Sequence, residues 1–197
     1  DGYFFLEESL SPALLDAMQK VCPITPNQDG AETLAYVYSH YFLGRRATAL
    51  ARIDLLNKIS QNFDVTVYTH ADCKDILPTA IYGGKIDYYD TMPTVFQHSK
   101  INLNITLKTI QTGIPLRAWD ILGCGGFLLT NFQQELCDFF IPGEDFVYYE
   151  SPADAIEKAA YFLSHDRERQ EIAHNAFEKI AASHTFHHRV QSMFDII

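Results

Sequence analysis

At Phe63 the hydrophobic period of the chain changes, and that change limits the folds open to it. FDVTVYTH, INLNI, GFLLT and DFVYY are short runs rich in β-branched and aromatic residues, each of strand length. Between them stand longer runs whose apolar residues recur at three and four, IPLRAWDILG and PADAIEKAAYFLSHD among them. Short apolar runs alternating with helical ones spell β-α-β-α, because parallel neighbours need a crossover long enough for a helix. The spacing predicts strands over about 63–69, 101–105, 126–130 and 145–149. It predicts helices over about 92–99, along IPLRAWDILG, briefly around QQELCDFF, along PADAIEKAAYFLSHD, over 167–182 and from His187 onward. The fold class is therefore α/β: a Rossmann-like open parallel sheet with helices on both faces. Sheets of this kind bind ligands at the carboxyl ends of their strands.

Residues 1–62 read instead as a helical segment, a packing layer or linker ahead of a Rossmann-like domain at 63–197. Ser11-Pro12 starts a helix that runs to about Val21, with the proline in the first turn. CPITPNQDG breaks it, and two further helical runs meet near Gly44-Arg45-Arg46. The chain begins at Asp1 without a methionine, which is expected of a piece continuing from a missing N-terminal domain.

With 15 basic against 25 acidic residues the net charge is −10, which argues against nucleic acid as a partner. A single phosphate site needs only local N–H groups and one or two cations, so a nucleotide ligand stays open. Cys22, Cys73, Cys124 and Cys137 match no CxxC pattern and read as reduced, mostly buried thiols of a cytoplasmic protein. No run is long enough to span a membrane, and no signal peptide is visible.

TGIPLRAWDILGCGGFLLT, residues 112–130, carries the strongest chemistry. With Thr112 as cap, the N–H groups of Gly113 and Ile114 would face the sheet's carboxyl edge, and Pro115 would sit in the first turn. A helix start with a glycine favours an anion. Arg117 and Asp120 lie three apart on one face, and Leu116, Trp119 and Gly123 are assigned to the core on another. Arg117 suits a phosphate, because its planar fork matches two oxygens. Asp120 suits vicinal hydroxyls such as those of a ribose. The same pair reads equally as an exposed i,i+3 ion pair, with Gly125 and Gly126 merely ending a helix.

Three stretches in order carry a wider pattern: GGKIDYYDTMPTVFQHSKINLNIT, TGIPLRAWDILGCGGFLLT, and IPGEDFVYYESPADAIEKAAYFLSHDRERQEIAHNAFEKIAASHTFHHRV. Together they resemble the C-terminal domain of group 1 glycosyltransferases, in the branch like the spore-maturation protein CgeB. The resemblance spans roughly residues 80–190 and implies a glycosyltransferase-B fold, in which two Rossmann-like domains face a cleft. It implies that this half holds a nucleotide diphosphate sugar and passes the sugar to an unknown acceptor, as a hexosyltransferase would, with retention at the anomeric carbon. No cofactor is implied, and no metal, in keeping with the absence of a D-x-D run. The E-x7-E element of the wider group falls on Thr112 and Asp120: Asp120 keeps the ribose-binding carboxylate, and Thr112 places a hydroxyl where the sugar-contacting carboxylate is expected. The donor site implied comprises Arg117 for phosphate, Lys108 as a second cation, Thr112, Gly113, Asn104, Asp120, Gly125 and Gly126; catalytic residues are not assigned. The loop IYGGKIDYY would offer backbone groups to the base, or is an ordinary glycine turn.

Other features read more plainly. Asn102 and Asn104 share one strand face and either satisfy backbone groups or, for Asn104, meet ligand. His184 and His188 stand at i,i+4 without acidic or cysteine companions, which favours a helix-end cluster over a metal site. Glu144 and Asp145 read as solvated turn residues. The alternative to an enzyme is a nucleotide- or sugar-phosphate-binding module without turnover.

Overall fold

The computed structural model describes residues 10–25, 30, 32–110 and 112–195. The YFFLEES run that opens the chain and the middle of the CPITPNQDG break lie outside the described residues. The chain divides into two compact units, one formed by residues up to Asp54 with Thr106–Gln111, the other by Leu55–Ile105 and Thr112–Ile197.

In the first unit, α1 (Pro12–Val21) is capped by Ser11, whose side chain accepts from the Leu14 N–H at 3.3 Å. A second helical run opens with α2 (Leu34–Tyr36), capped by Thr33. It passes through a π-helical stretch, Val37–Gly44, directly into α3 (Arg45–Ser60). The two helical runs expected to meet near Gly44 are thus one run, with a change of hydrogen-bond period rather than a break at the glycine. Tyr38 is fully buried there, its hydroxyl against the Gln19 side chain and the Cys22 carbonyl. Thr48 donates to the Gly44 carbonyl at 2.8 Å and accepts the Lys108 N–H at 3.0 Å, which fastens loop 106–110 to this unit.

The second unit is built on parallel strands. β1 (Thr66–Tyr68) pairs with β2 (Ile81–Gly84), and β3 (Asn102–Asn104), β4 (Leu128–Asn131) and β5 (Val147–Tyr149) form a sheet in the order β3-β4-β5. The helices between and after them are α4 (Met92–His98), α5 (Leu116–Gly123), α6 (Pro152–Ser164), α7 (Asp166–Ser183) and α8 (Phe186–Phe194). The β-α-β-α reading holds. Gln134–Asp138 forms a 3-10 turn in place of the short helix. β2 corrects the expectation of a loop or glycine turn at IYGG. Glycine is a poor strand former, but the Tyr68 ring of β1 covers Gly83 so closely that a Cβ there would sit 2.6 Å from it.

Adjacent residues of β4 point to opposite faces, and both faces are buried. Leu129, with Phe127, Val147, Tyr149 and Leu55 and Ile59 of α3, packs against Ala155, Ala159 and Phe162 of α6 and Ile172 and Ala173 of α7. Leu128 and Phe146 pack on the other face with Phe96 of α4, Ala118, Ile121 and Leu122 of α5, and Ala176 of α7. Helices therefore cover both faces of an open parallel sheet, the expected class. No helix among the described residues is long and apolar enough to cross a membrane.

Asp145 corrects the solvated-turn reading. It is 1% exposed, accepts the Ile141 N–H at 2.6 Å and pairs with Lys179 of α7, so its carboxylate ties the loop before β5 to the last layer of helix. The cysteines are free, but Cys22 is exposed and the other three are half-buried, short of the burial expected of them.

α5 ends in a Schellman motif: the Gly126 N–H bonds the Ile121 carbonyl at 2.9 Å, and Gly125, at φ +72°, bonds Leu122 at 3.0 Å. A Cβ on Gly126 would lie 2.7 Å from Asn102 Nδ2 and 2.9 Å from the Phe96 carbonyl. Gly126→Ala is expected to destabilise the protein by about 2 kcal/mol in urea unfolding, since buried backbone must move. Gly123→Ala, whose Cβ would meet Ile180 at an ordinary 3.8 Å, is the control and stays within roughly 0.5 kcal/mol of the parent.

Candidate functional site

α5 joins β3 to its parallel neighbour β4, so the helix runs back along the sheet and its first turn stands at the strands' carboxyl end. It starts later than its sequence suggests. Pro115 is the N-cap residue, with extended ψ and no side-chain cap, and Leu116 is the first helical residue. Thr112 does not cap it; Thr112 and Gly113 lie in an exposed bend ahead of the helix, with Gly113 at φ +94°. A proline has no N–H to give to a capping hydroxyl three residues earlier, and its ring favours the extended conformation of the residue before it.

The core stripe of α5 is Ala118, Ile121 and Leu122, at i, i+3 and i+4. Leu116, assigned to the core, is 75% exposed. Trp119 straddles the border, edge-on to Phe139 and Phe140 at 5.7 and 5.4 Å. The helix is rotated by about one residue from the assigned face, which turns Arg117 and the start of the helix outward.

Arg117 and Asp120 form no ion pair with each other or with any other described residue. The Arg117 guanidinium lies over the Phe96 ring, 5.3 Å from its centre. Asp120 instead accepts a 2.6 Å hydrogen bond on Oδ2 from the hydroxyl of Tyr88. Tyr88 stands in the loop after β2, also at a carboxyl end, and the loop is shaped by Asp87, whose Oδ1 accepts the N–H groups of Tyr89 and Asp90, both at 2.8 Å. Those two donors hold the Asp87 carboxyl below the usual carboxylate range. The bond to Asp120, with partial burial and the carboxylate's charge, pushes the Tyr88 phenol up, while Arg117 pulls it the other way. Arg117, Tyr88 and Asp120 therefore share one patch of electrostatic influence. Burial and Asp120 also push the Cys124 thiol up.

Nothing in the spacing of the sequence pairs Tyr88 with Asp120. The sequence offers only a polar-tipped aromatic in IDYY, beside a Gly-Gly pair that reads either as a base-contacting loop or as a turn. The remaining expected residues separate. Asn104 is buried and donates to Thr130 Oγ1 at 2.9 Å, while Asn102 donates to the Phe96 and Phe127 carbonyls. Gly125 and Gly126 end the helix as described above. Lys108 belongs to the first unit, held there by its backbone N–H.

The sequence model of the family described as glycosyl transferase-like matches residues 45–195, from the first residue of α3 to the end of α8. The chain belongs to this family. Arg117, Tyr88 and Asp120 all lie inside the matched range, and family membership supports glycosyl transfer as the general role of this glycosyl transferase-like protein. No curated protein matches the sequence.

The two histidines at i,i+4 have other work in the glycosyl transferase-like domain. His188 completes a capping box with Thr185 at the start of α8. His184 packs on Trp119 and Phe139, each at 5.4 Å, and its Nδ1 accepts from Arg189 at 2.9 Å. Burial, then the charges of Arg189 and His188, push the His184 imidazole below its ordinary value. As pH falls, the unfolded chain binds this proton before the folded one does, so stability declines from about pH 7 downward until the folded imidazole also titrates. His184→Gln, which keeps an acceptor for Arg189, is expected to flatten that part of the decline in urea unfolding between pH 8 and pH 5.

Proposed function

We propose that the second unit is the donor-binding body of a group 1 glycosyltransferase of the CgeB-like branch, with a glycosyltransferase-B architecture. It would bind a nucleotide diphosphate sugar whose sugar passes to an acceptor. The observation that carries this reading is the constellation at the start of α5, where Arg117 has no ion pair among the described residues and Asp120 is held by Tyr88. Arg117 would take the diphosphate, its planar fork, now over the Phe96 ring, meeting two oxygens. Loss of a sugar leaves negative charge on the diphosphate, so a guanidinium there stabilises the transition state more than the ground state. Asp120 would accept from the ribose hydroxyls and fix the nucleotide's orientation. No metal enters this account. The acceptor, in this reading, meets a second Rossmann-like half.

One feature favours the reading without turnover. Thr112 presents a short neutral hydroxyl in an exposed bend, where a transferase of the wider group is expected to place a carboxylate near the donor sugar. A nucleotide-binding module needs no such group.

Calorimetric titration with UDP, GDP and their sugars tests both readings. Arg117→Ala and Asp120→Ala are each expected to weaken nucleotide binding roughly 10- to 100-fold, because charge-assisted hydrogen bonds are worth about 1.5–3 kcal/mol. Folded parent protein that binds no nucleoside diphosphate would sink both readings, and variants that bind as tightly as the parent would sink the assigned site. Donor hydrolysis by the full-length protein, lost in both variants, separates the transferase from the binding module.

A further inference from the structure

We infer that Tyr88 is a positioning residue that sets the sugar specificity of the nucleotide site: by holding Asp120 Oδ2 it aims the carboxylate at a vicinal diol and selects ribose over 2′-deoxyribose. This rests on the reading of the patch as a nucleotide site. An ionised carboxylate has about four acceptor positions on two oxygens. The Tyr88 hydroxyl fills one of them on Oδ2, and Oδ1 accepts no hydrogen bond from any described residue. About three positions stay open, at least one of them on each oxygen, on a carboxylate that can no longer rotate freely. That is the complement of two neighbouring hydroxyls.

The geometry supports positioning over a plain surface tether. At 2.6 Å the bond lies in the range of strong O–H···O⁻ bonds, and it joins residues 32 apart in the chain. Tyr88 is itself fixed before any ligand arrives. Asp87 gathers two backbone N–H groups of its loop, its carbonyl accepts the Met92 N–H at 2.9 Å where α4 begins, and the Tyr89 ring stands edge-on at 5.1 Å. Yet Tyr88 is 42% exposed and joins neither core cluster, so its hydroxyl contributes little to stability. A short bond between exposed groups, in a loop built to hold it, orients a side chain. A phenol is protonated, and so a donor, throughout the neutral range.

The test compares UDP and GDP with their 2′-deoxy counterparts, and with inorganic pyrophosphate, by calorimetric titration of the parent and of Tyr88→Phe. The parent is expected to prefer the ribose form by roughly tenfold or more, since a site built to bond a hydroxyl rejects the analogue lacking it. Tyr88→Phe is expected to shrink that preference to within about threefold while leaving pyrophosphate binding unchanged. In an Asp120→Asn background the same substitution is expected to change the preference no further, because it acts through the carboxylate. A preference unchanged in Tyr88→Phe would overturn the inference and leave the nucleotide site standing. Equal weakening toward all ligands, pyrophosphate included, would also overturn it, by showing that the phenol supports the loop and not the carboxylate. A folded parent that binds no nucleoside diphosphate would remove the site itself.

Discussion

The tight approach at Gly126 in the second unit governs where α5 can stand. There the end of α5, the first residue of β3 and the carbonyl that ends α4 come within a distance that leaves no room for a methyl group. The Schellman bonds stop the helix and turn the chain into β4 within two residues, so α5 has no freedom to slide along the sheet. Its pitch and rotation then follow from Ala118, Ile121 and Leu122 being sealed against Leu128 and Phe146. With the far end of a two-turn helix pinned in this way, its first turn is pinned as well, and the positions of Arg117 and Asp120 follow from a contact at the opposite end.

The patch at the start of α5 is assembled from two segments with no local reason to meet. The β2–α4 loop supplies a phenol and the β3–β4 crossover supplies a guanidinium and a carboxylate. The first leaves β2 of one sheet and the second leaves β3 of the other, and the 2.6 Å bond from Tyr88 to Asp120 joins them. The chemistry divides in the same way. Arg117 is exposed and lies over the Phe96 ring, whereas Asp120 is held by the Tyr88 hydroxyl. In the proposed reading the first would meet the phosphate part of a ligand and the second its sugar.

The architecture was legible because its signals are periodic. INLNI, GFLLT and DFVYY read as strands, and the helices from Pro152 onward lie where the spacing puts them. The site was half legible. Arg117 and Asp120 stood out as a charge pair in an apolar helix, but the sequence could not choose between an ion pair and a ligand site, and it set the helix start three residues early by treating Thr112 as a cap. Two glycines were open in the sequence: Gly83, left between a base-contacting loop and a turn, is strand, and Gly126, considered for ligand, is closely packed. In both cases the deciding atom, the Tyr68 ring or the Asn102 amide, belongs to a distant residue. Tyr88 and Asp145 were missed for the same reason, since a partner 32 or 34 residues away leaves no local trace.

α7 belongs to neither side of the sheet alone. Its first half contributes Ile172 and Ala173 to the layer beneath α6, and its second half contributes Ala176 and Ile180 to the layer beneath α5. The helix thus stitches the two layers across the sheet, and Lys179 adds a tie to the buried carboxylate before β5. Neither hydrophobic layer can loosen without pulling on a helix that the other one grips. The two layers are thereby coupled into one cooperative unit, and the start of α5 inherits the stability of the whole body rather than that of its own two turns.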